Sequence, residues 1–217
     1  MDIILNPKTN HYVRPDTLDD FVVSEINHSY TKMQIKENDI VFDIGGNIGA
    51  FAKWASPKCR EVVSYEPCPD NFEVHKKNVQ ECSNVVSYNK AIISTNESRV
   101  SFYLNTGKNK GMHSSVKKRG HKEITVDAAN FYSELMIHSP NKIKIDIEGG
   151  EYDLLLNKDL PPFVDTLAIE FHLNRKEWRQ DKAIKLMAQL KQQFKRTIVV
   201  PKITEANWAT VGIYKMY

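Results

Sequence analysis

The chain has 217 residues, 41% hydrophobic, with a formal net charge of +3; that size fits one domain with a sizeable core, and the slight basic excess permits an anionic partner without requiring one. Its three cysteines, Cys59, Cys68 and Cys82, form no C-x-x-C pair and have no histidines at ligand spacing, which argues against a disulfide framework or a zinc site and for a reducing compartment. The N-terminus lacks a basic region before a long apolar core and no apolar run reaches about 18 residues, so neither secretion nor a membrane span is expected, and the cytoplasm of a cell or infected host is the predicted location.

Residues 1–36 precede the predicted core (37–217) and contain one helical pattern, Thr17 to Met33, with Leu18, Phe21, Val22, Ile26 and Tyr30 near a helical repeat and Asp16 as the cap. Such periodicity predicts packing against the sheet edge in preference to a cover over a ligand cleft. A short apolar run, Ile40 to Ile44, then reads as a strand that ends in a turn at Gly45-Gly46. Asn47 is the expected cap of a helix through Ala50 to Ala55, Pro57 closes it, and Glu61 to Glu66 form the next strand. This is a βαβ unit, which places ligands at the carboxyl ends of its strands.

Glu66 stands about 20 residues beyond the glycines, where an acid can accept hydrogen bonds from ribose hydroxyls. The dinucleotide pattern G-x-G-x-x-G is absent. In its place stands D-x-G-x-N-x-G, from Asp43 through Gly45 and Asn47 to Gly49. A strand-end carboxylate such as Asp43 would repel a pyrophosphate and suit an amino group. S-adenosylmethionine, with an ammonium, a sulfonium, a ribose and no phosphate, meets that requirement.

Further along, Pro69 to Gln80 reads as a helix with Phe72 and Val79 inward, and Val85 to Ile93 as the third strand. Alternation over Ser98 to Asn105 predicts an inserted strand paired as a hairpin with Glu123 to Val126. Between them, residues 107–122 form a glycine-containing basic loop that includes Lys117, Lys118 and Arg119. It is either a solvated loop or a substrate-facing flap that attracts phosphate, sulfate or carboxylate. It would also suit a nucleic-acid backbone, although no aromatic ladder accompanies it.

Asp127 is expected to cap a helix over Ala128 to Met136. A buried strand, Asn141 to Ile147, delivers Asp146 and Glu148 to the sheet end that holds Asp43 and Glu66, and Glu151 then opens a helix in a structural role. On the strand Asp165 to Leu173, Glu170 and His172 share a face. An amphipathic helix, Arg175 to Phe194, turns Trp178, Ile184, Met187, Leu190 and Phe194 inward, and Thr197 to Ile203 with Trp208 to Met216 close the sheet as an antiparallel hairpin.

Ile35 to Ala55, the strand-end Glu66-Pro67, and K-I-D-I-E-G-G-E from Lys144 to Glu151 together resemble the FkbM-like family of S-adenosylmethionine-dependent methyltransferases. The resemblance spans most of the chain from Ile35 to about His172. It implies an α/β, Rossmann-like class I methyltransferase fold with a central, mostly parallel seven-stranded sheet, helices on both faces and an antiparallel C-terminal hairpin. It also implies a cofactor set of Asp43, Gly45, Gly46, Asn47, Gly49, Glu66 and Asp146, with Asn89 and Ala91 at the adenine. His113, Ser114 and Ser115 match the family's serine-pair segment near the cofactor, with Ser114 on the cofactor and His113 and Ser115, beside Lys117, Lys118 and Arg119, on the substrate.

A hydroxyl acceptor must lose a proton, and a base with a pKa near neutrality does this best, which selects His172, with Asp146, Glu148 or Glu170 to orient it or bind acceptor hydroxyls. The marks of other methyltransferase chemistries are missing: D-I-E-G follows the fourth core strand where amino-directed enzymes carry D-P-P-Y, and Pro67-Cys68 follows the second strand. A sugar-like or other small polyhydroxyl acceptor is the resulting expectation. A nucleic-acid methyltransferase using the basic loop and a silent cofactor-binding module stand as alternatives. Asp127, Asp146, Glu148 and His172 are hard ligands, but their spacing does not establish a metal site, and no required metal is expected.

Overall fold

The computed structural model describes residues 1–107, 113–114, 121–173, 177–200 and 209–216. A small hairpin, β1 (Ile4–Asn6) and β2 (His11–Val13), leads into α1 (Asp19–Ser29). The doubly wound core follows as β3 (Ile40–Ile44), α2 (Ala50–Ala55), β4 (Glu61–Tyr65), α3 (Pro69–Val79) and β5 (Val85–Tyr88). Next come β6 (Ala91–Ile93), β7 (Arg99–Leu104), β8 (Lys122–Asn130), α4 (Phe131–His138), β9 (Lys142–Ile145) and α5 (Glu151–Leu155). The chain closes with β10 (Thr166–His172), α6 (Glu177–Gln193), β11 (Arg196–Val200) and β12 (Ala209–Lys215).

Seven strands form one sheet in the order β11-β12-β10-β9-β3-β4-β5, with β12 antiparallel to both neighbours. The inner strands are buried on both faces, as their unbroken apolar runs require. Alternate residues divide the core between two helical layers. Phe42, Ile44, Val63 and Ile143 pack with α4, α5 and α6 on one face, whereas Val41, Val62 and Ala168 pack with α1, α2 and α3 on the other. Each fully buried Val, Ile or Phe among these contributes about 1.5–3 kcal/mol relative to exposure.

The predicted third strand is two strands. β5 pairs with β4 as far as Tyr88, whereas β6 joins a separate sheet of order β6-β8-β7. The break falls at Asn89, whose amide donates to the carbonyl oxygens of Glu66 at 2.7 Å and Pro67 at 3.2 Å. The predicted hairpin is present, with Val100 opposite Val126 and Phe102 opposite Ile124. Its second strand runs on to Asn130, because Ala128 to Asn130 pair with Ala91 to Ile93.

Asp127 therefore caps nothing: it lies in β8, exposed, 3.5 Å from Arg99. The cap of α4 is Asn130, whose side chain accepts from the amide of Ser133 at 2.9 Å. Two other expected caps also fail. Gly49, at φ 80°, stands at the N-cap of α2 in place of Asn47, and α1 starts after Leu18, with Asp16 at φ 59° outside it. Asp19 instead clasps the backbone and guanidinium of Arg14 at 2.8–2.9 Å.

Helix α1 packs on α2 through Val23, Ile26 and Tyr30, the last edge-on to Phe51 with ring centroids 5.2 Å apart. On α6, Leu186 and Leu190 face the core while Ile184 is exposed, a one-position error in the expected stripe; the side chain of Trp178 lies outside the described residues. Among the described residues, no helix is long and apolar enough to cross a membrane.

Replacing Asn130 with Ala should lower unfolding free energy by about 1 kcal/mol, whereas Asp127→Ala should change it by less than about 0.5 kcal/mol. Urea denaturation of the two variants checks this; equal losses would contradict the observed helix start.

Candidate active site

The exits of β3 and β9 are tied together from below. Their parallel register sets Asp43 opposite Lys144. Lys144 is buried; its Nζ donates to the Gly45 carbonyl at 2.7 Å and lies 3.2 Å from Asp43 Oδ1 and 3.7 Å from Asp146 Oδ2. Burial works against this ammonium, yet Asp43 and Asp146 hold its pKa above the ordinary lysine value. The second oxygen of Asp43 accepts from Ser64 Oγ at 2.8 Å.

Asp43 is thus wholly buried beneath the turn, its charge matched by Lys144, and it does not reach the cleft. The expectation that it faces a ligand amino group is corrected accordingly. The turn itself hangs on β4, with the amides of Gly45 and Gly46 both donating to the Tyr65 carbonyl at 3.0 and 2.9 Å. Gly45 adopts φ +85°, and a Cβ there would stand 1.8 Å from the Asp146 carbonyl oxygen. Gly46 closes on Ser64, whose Oγ a Cβ would meet at 2.3 Å, and Gly49 closes on His75 of α3 at 3.1 Å.

A cleft of about 570 Å³, its open mouth included, runs across these strand exits. Glu66 lines one wall. Its Oε2 accepts from the Asn47 amide and its Oε1 from the Cys68 amide, both at 2.8 Å. Burial pushes its pKa up to about 7, against the pull of those amides and of Lys144. Beside it, the Oδ1 of Asn47 is buried with no protein partner among the described residues. Ala91, Ile92 and Phe102 supply an apolar wall.

The other expected residues divide. Asn89 braces the Glu66-Pro67 backbone and does not line the cleft. His113 lines it, its Nδ1 accepting from the Asn105 amide at 2.8 Å. Ser114 is buried behind, its hydroxyl donating to the Glu148 carbonyl at 2.8 Å, and so bridges the inserted sheet to the β9 exit. Ser115, Lys117, Lys118 and Arg119 lie outside the described residues.

The far end of the cleft is acidic. Asp146 and Glu148 line it, and Glu148 takes a positive φ of 57° as the chain turns out of β9. His172 Nε2 lies 3.5 Å from Glu148, 3.8 Å from Asp146 and 4.0 Å from Glu170. Its Nδ1 sits 3.1 Å from Oε1 of Glu151, a fully buried carboxylate that also accepts from the amides of His172 and Gly149 at 2.8 Å. Burial pushes the Glu170 pKa up to about 8, assisted by Asp146.

Burial alone would depress the His172 pKa, but Glu151 and Glu148 outweigh it and raise it well above the usual value. The flanking carboxylates thus favour the charged ring. Stabilisation of the imidazolium by these carboxylates weighs against a near-neutral histidine base.

Lys144, His75 and Ser64 were missed in the sequence. The one available signal was opposite charges, Asp43 and Lys144, each near the end of an apolar run.

A mostly parallel sheet with one antiparallel strand between β10 and β11, carrying its cleft across the exits of β3 and β4, defines the Rossmann-like class I methyltransferase fold. Solved structures share it. A methyltransferase FkbM from Methylobacillus flagellatus aligns with TM-score 0.51 and 15% identity over 83% of this chain and 44% of that one. A dimethyladenosine transferase from Plasmodium falciparum aligns with TM-score 0.52 and 14% identity over 91% and 62%. These likenesses show the fold alone.

The chain belongs to the FkbM methyltransferase family, whose domain matches residues 43–196. It is also 28% identical over 123 residues to the hexuronic acid methyltransferase AglP of Haloferax volcanii, covering 56% of this chain and 51% of AglP, so it spans about half that relative's length.

Lys144→Met leaves Asp43 buried without its counter-charge and should cost about 3–5 kcal/mol. Adding Asp43→Asn should recover part of that loss in urea denaturation. A double variant no more stable than the single one would argue against the pairing.

Proposed function

We propose that this chain transfers a methyl group from S-adenosylmethionine to a hydroxyl of a small, sugar-like polyhydroxyl acceptor. The observation that carries the reading is Glu66: a buried carboxylate at the cleft wall, each oxygen held by one backbone amide and each retaining a lone pair for a neighbouring hydroxyl. A ribose diol matches that acceptor pair.

The rest of the cleft suits the same ligand. Ala91, Ile92 and Phe102 offer an apolar wall to a base, Asn47 offers an unpaired carbonyl oxygen, and Asp146 and Glu148 supply the negative potential that a cationic ligand needs. When bound, S-adenosylmethionine supplies an electrophilic methyl group. The chain's own task is then alignment and removal of the acceptor's proton. His172, whose ring Glu151 and Glu148 bias toward the charged form, is a poorer acceptor for that proton than a free carboxylate. Glu148, which lines the cleft 3.5 Å from His172 Nε2, is the carboxylate assigned to receive it, with the imidazolium beside it to stabilise the charges. The sugar-like acceptor draws support from the likeness to the hexuronic acid methyltransferase AglP and from the cluster of acids at the β9 and β10 exits.

Calorimetry with S-adenosylhomocysteine tests the cofactor assignment. Glu66→Gln should weaken binding at least tenfold, and the wild-type affinity should fall as pH drops below about 7, where Glu66 gains a proton and loses acceptor capacity. A flat pH profile with full affinity in the variant would refute the ribose assignment.

For the acceptor, labelled methyl donor should mark hexuronic acids or related sugars and leave RNA unlabelled. Glu148→Gln should then lower kcat about 100-fold. Labelling of RNA alone would overturn the sugar reading.

A further inference from the structure

We propose that Asp146, Glu170 and His172 bind one divalent cation of the Mn²⁺ or Mg²⁺ class beside the acidic end of the cleft. One carboxylate oxygen from each acid and one imidazole nitrogen lie within 4.8 Å of one another. Paired strands set this placement: β9 and β10 run parallel with Ile145 opposite Ile169, so Asp146 and Glu170 leave the sheet side by side. His172 follows two residues later on the same face. A small closure of these side chains would bring the three donors onto a shell of about 2.1 Å radius.

The group is more than a patch of acids. Its nitrogen donor is oriented from outside the donor set: Glu151, fully buried and itself held by the amides of Gly149 and His172, engages His172 Nδ1 and directs Nε2 at the carboxylates. A carboxylate on the remote ring nitrogen is the support that metal-bound histidines generally have, because it fixes the ring and strengthens the donor.

Lys144 is shared among Asp43, the Gly45 carbonyl and Oδ2 of Asp146 at 3.7 Å, and Oδ1 of Asp146 is the oxygen nearer His172. The donor side chains are 12–32% exposed, which leaves a hydrated ion a way in. Two carboxylate oxygens with one imidazole favour a hard to borderline ion over a thiophilic one.

Entry of the ion displaces the Nε2 proton to solvent, while the Nδ1 proton remains directed at Glu151. The role of the ion rests on the proposed methyl transfer. Because Asp146 also lines the cleft, an acceptor oxygen could complete the shell, and its hydroxyl would then lose its proton to Glu148 more readily.

Binding itself is tested without turnover. The full chain, stripped with chelator and desalted, is titrated with Mn²⁺ while free Mn²⁺ is read by electron paramagnetic resonance, with Mg²⁺ as competitor. One saturable ion per chain is expected, at least tenfold weaker in Glu170→Gln and in Glu151→Gln. Selective paramagnetic broadening of the His172 imidazole resonances in the wild-type chain gives the location without reliance on any variant. No saturable Mn²⁺ binding, or binding that leaves the His172 resonances sharp, overturns the proposal. S-adenosylhomocysteine binding on the same samples separates the two readings: a chain that binds it but not Mn²⁺ loses only the metal site, and one that binds Mn²⁺ alone loses the methyl-donor reading.

Discussion

The contact on which the site's geometry depends is the buried ion pair between Asp43 and Lys144. Both charges are out of water, which is tolerable only because each has further polar contacts: Ser64 on Asp43, and the Gly45 carbonyl and Asp146 on Lys144. The pair therefore does more than neutralise charge. It ties the exit of β3 to the exit of β9 and holds one side of the glycine turn, while β4 holds the other through the Tyr65 carbonyl. With the turn fixed on both sides, the Asn47 amide meets the Glu66 carboxylate at 2.8 Å.

The cleft built on this support has two chemically different ends. Near the inserted sheet it is apolar, lined by Ala91, Ile92 and Phe102; near β9 it is anionic, lined by Asp146 and Glu148. The inserted sheet is part of the same construction, since Ser114 reaches across to the Glu148 carbonyl. This polarity orients a ligand with an aromatic base at one end and positive charge at the other, which is the reading proposed above. It also gathers carboxylates and the His172 ring at the end assigned to the acceptor.

Much of the frame was legible in the sequence because its signals are local. Apolar runs buried on both faces gave β3, β4, β9 and β10, and glycines at the end of the first run gave the turn. The alternation over Val100 to Leu104 gave the hairpin. The errors fall where long-range pairing overrode local preference. Asp127 resembles a helix cap, yet strand partners on both sides extend β8 to Asn130. The run Val85 to Ile93 resembles one strand, yet Asn89 turns inward to bind the Glu66 and Pro67 carbonyls and splits it.

The site was legible as a set of residue types and not as a set of roles. Sequence alone determined that Asp43, Glu66, Asp146, Glu148, Glu170 and His172 gather at one end of a parallel sheet, because strand direction and a side-chain period of two leave little freedom. Only the tertiary structure decided which acid is spent on a buried lysine, which lines the cleft, and which histidine nitrogen faces the carboxylates. Those outcomes depend on distances of 3–4 Å between side chains remote in sequence, and at that range a carboxylate's neighbours, more than its position in a motif, set its charge and its task.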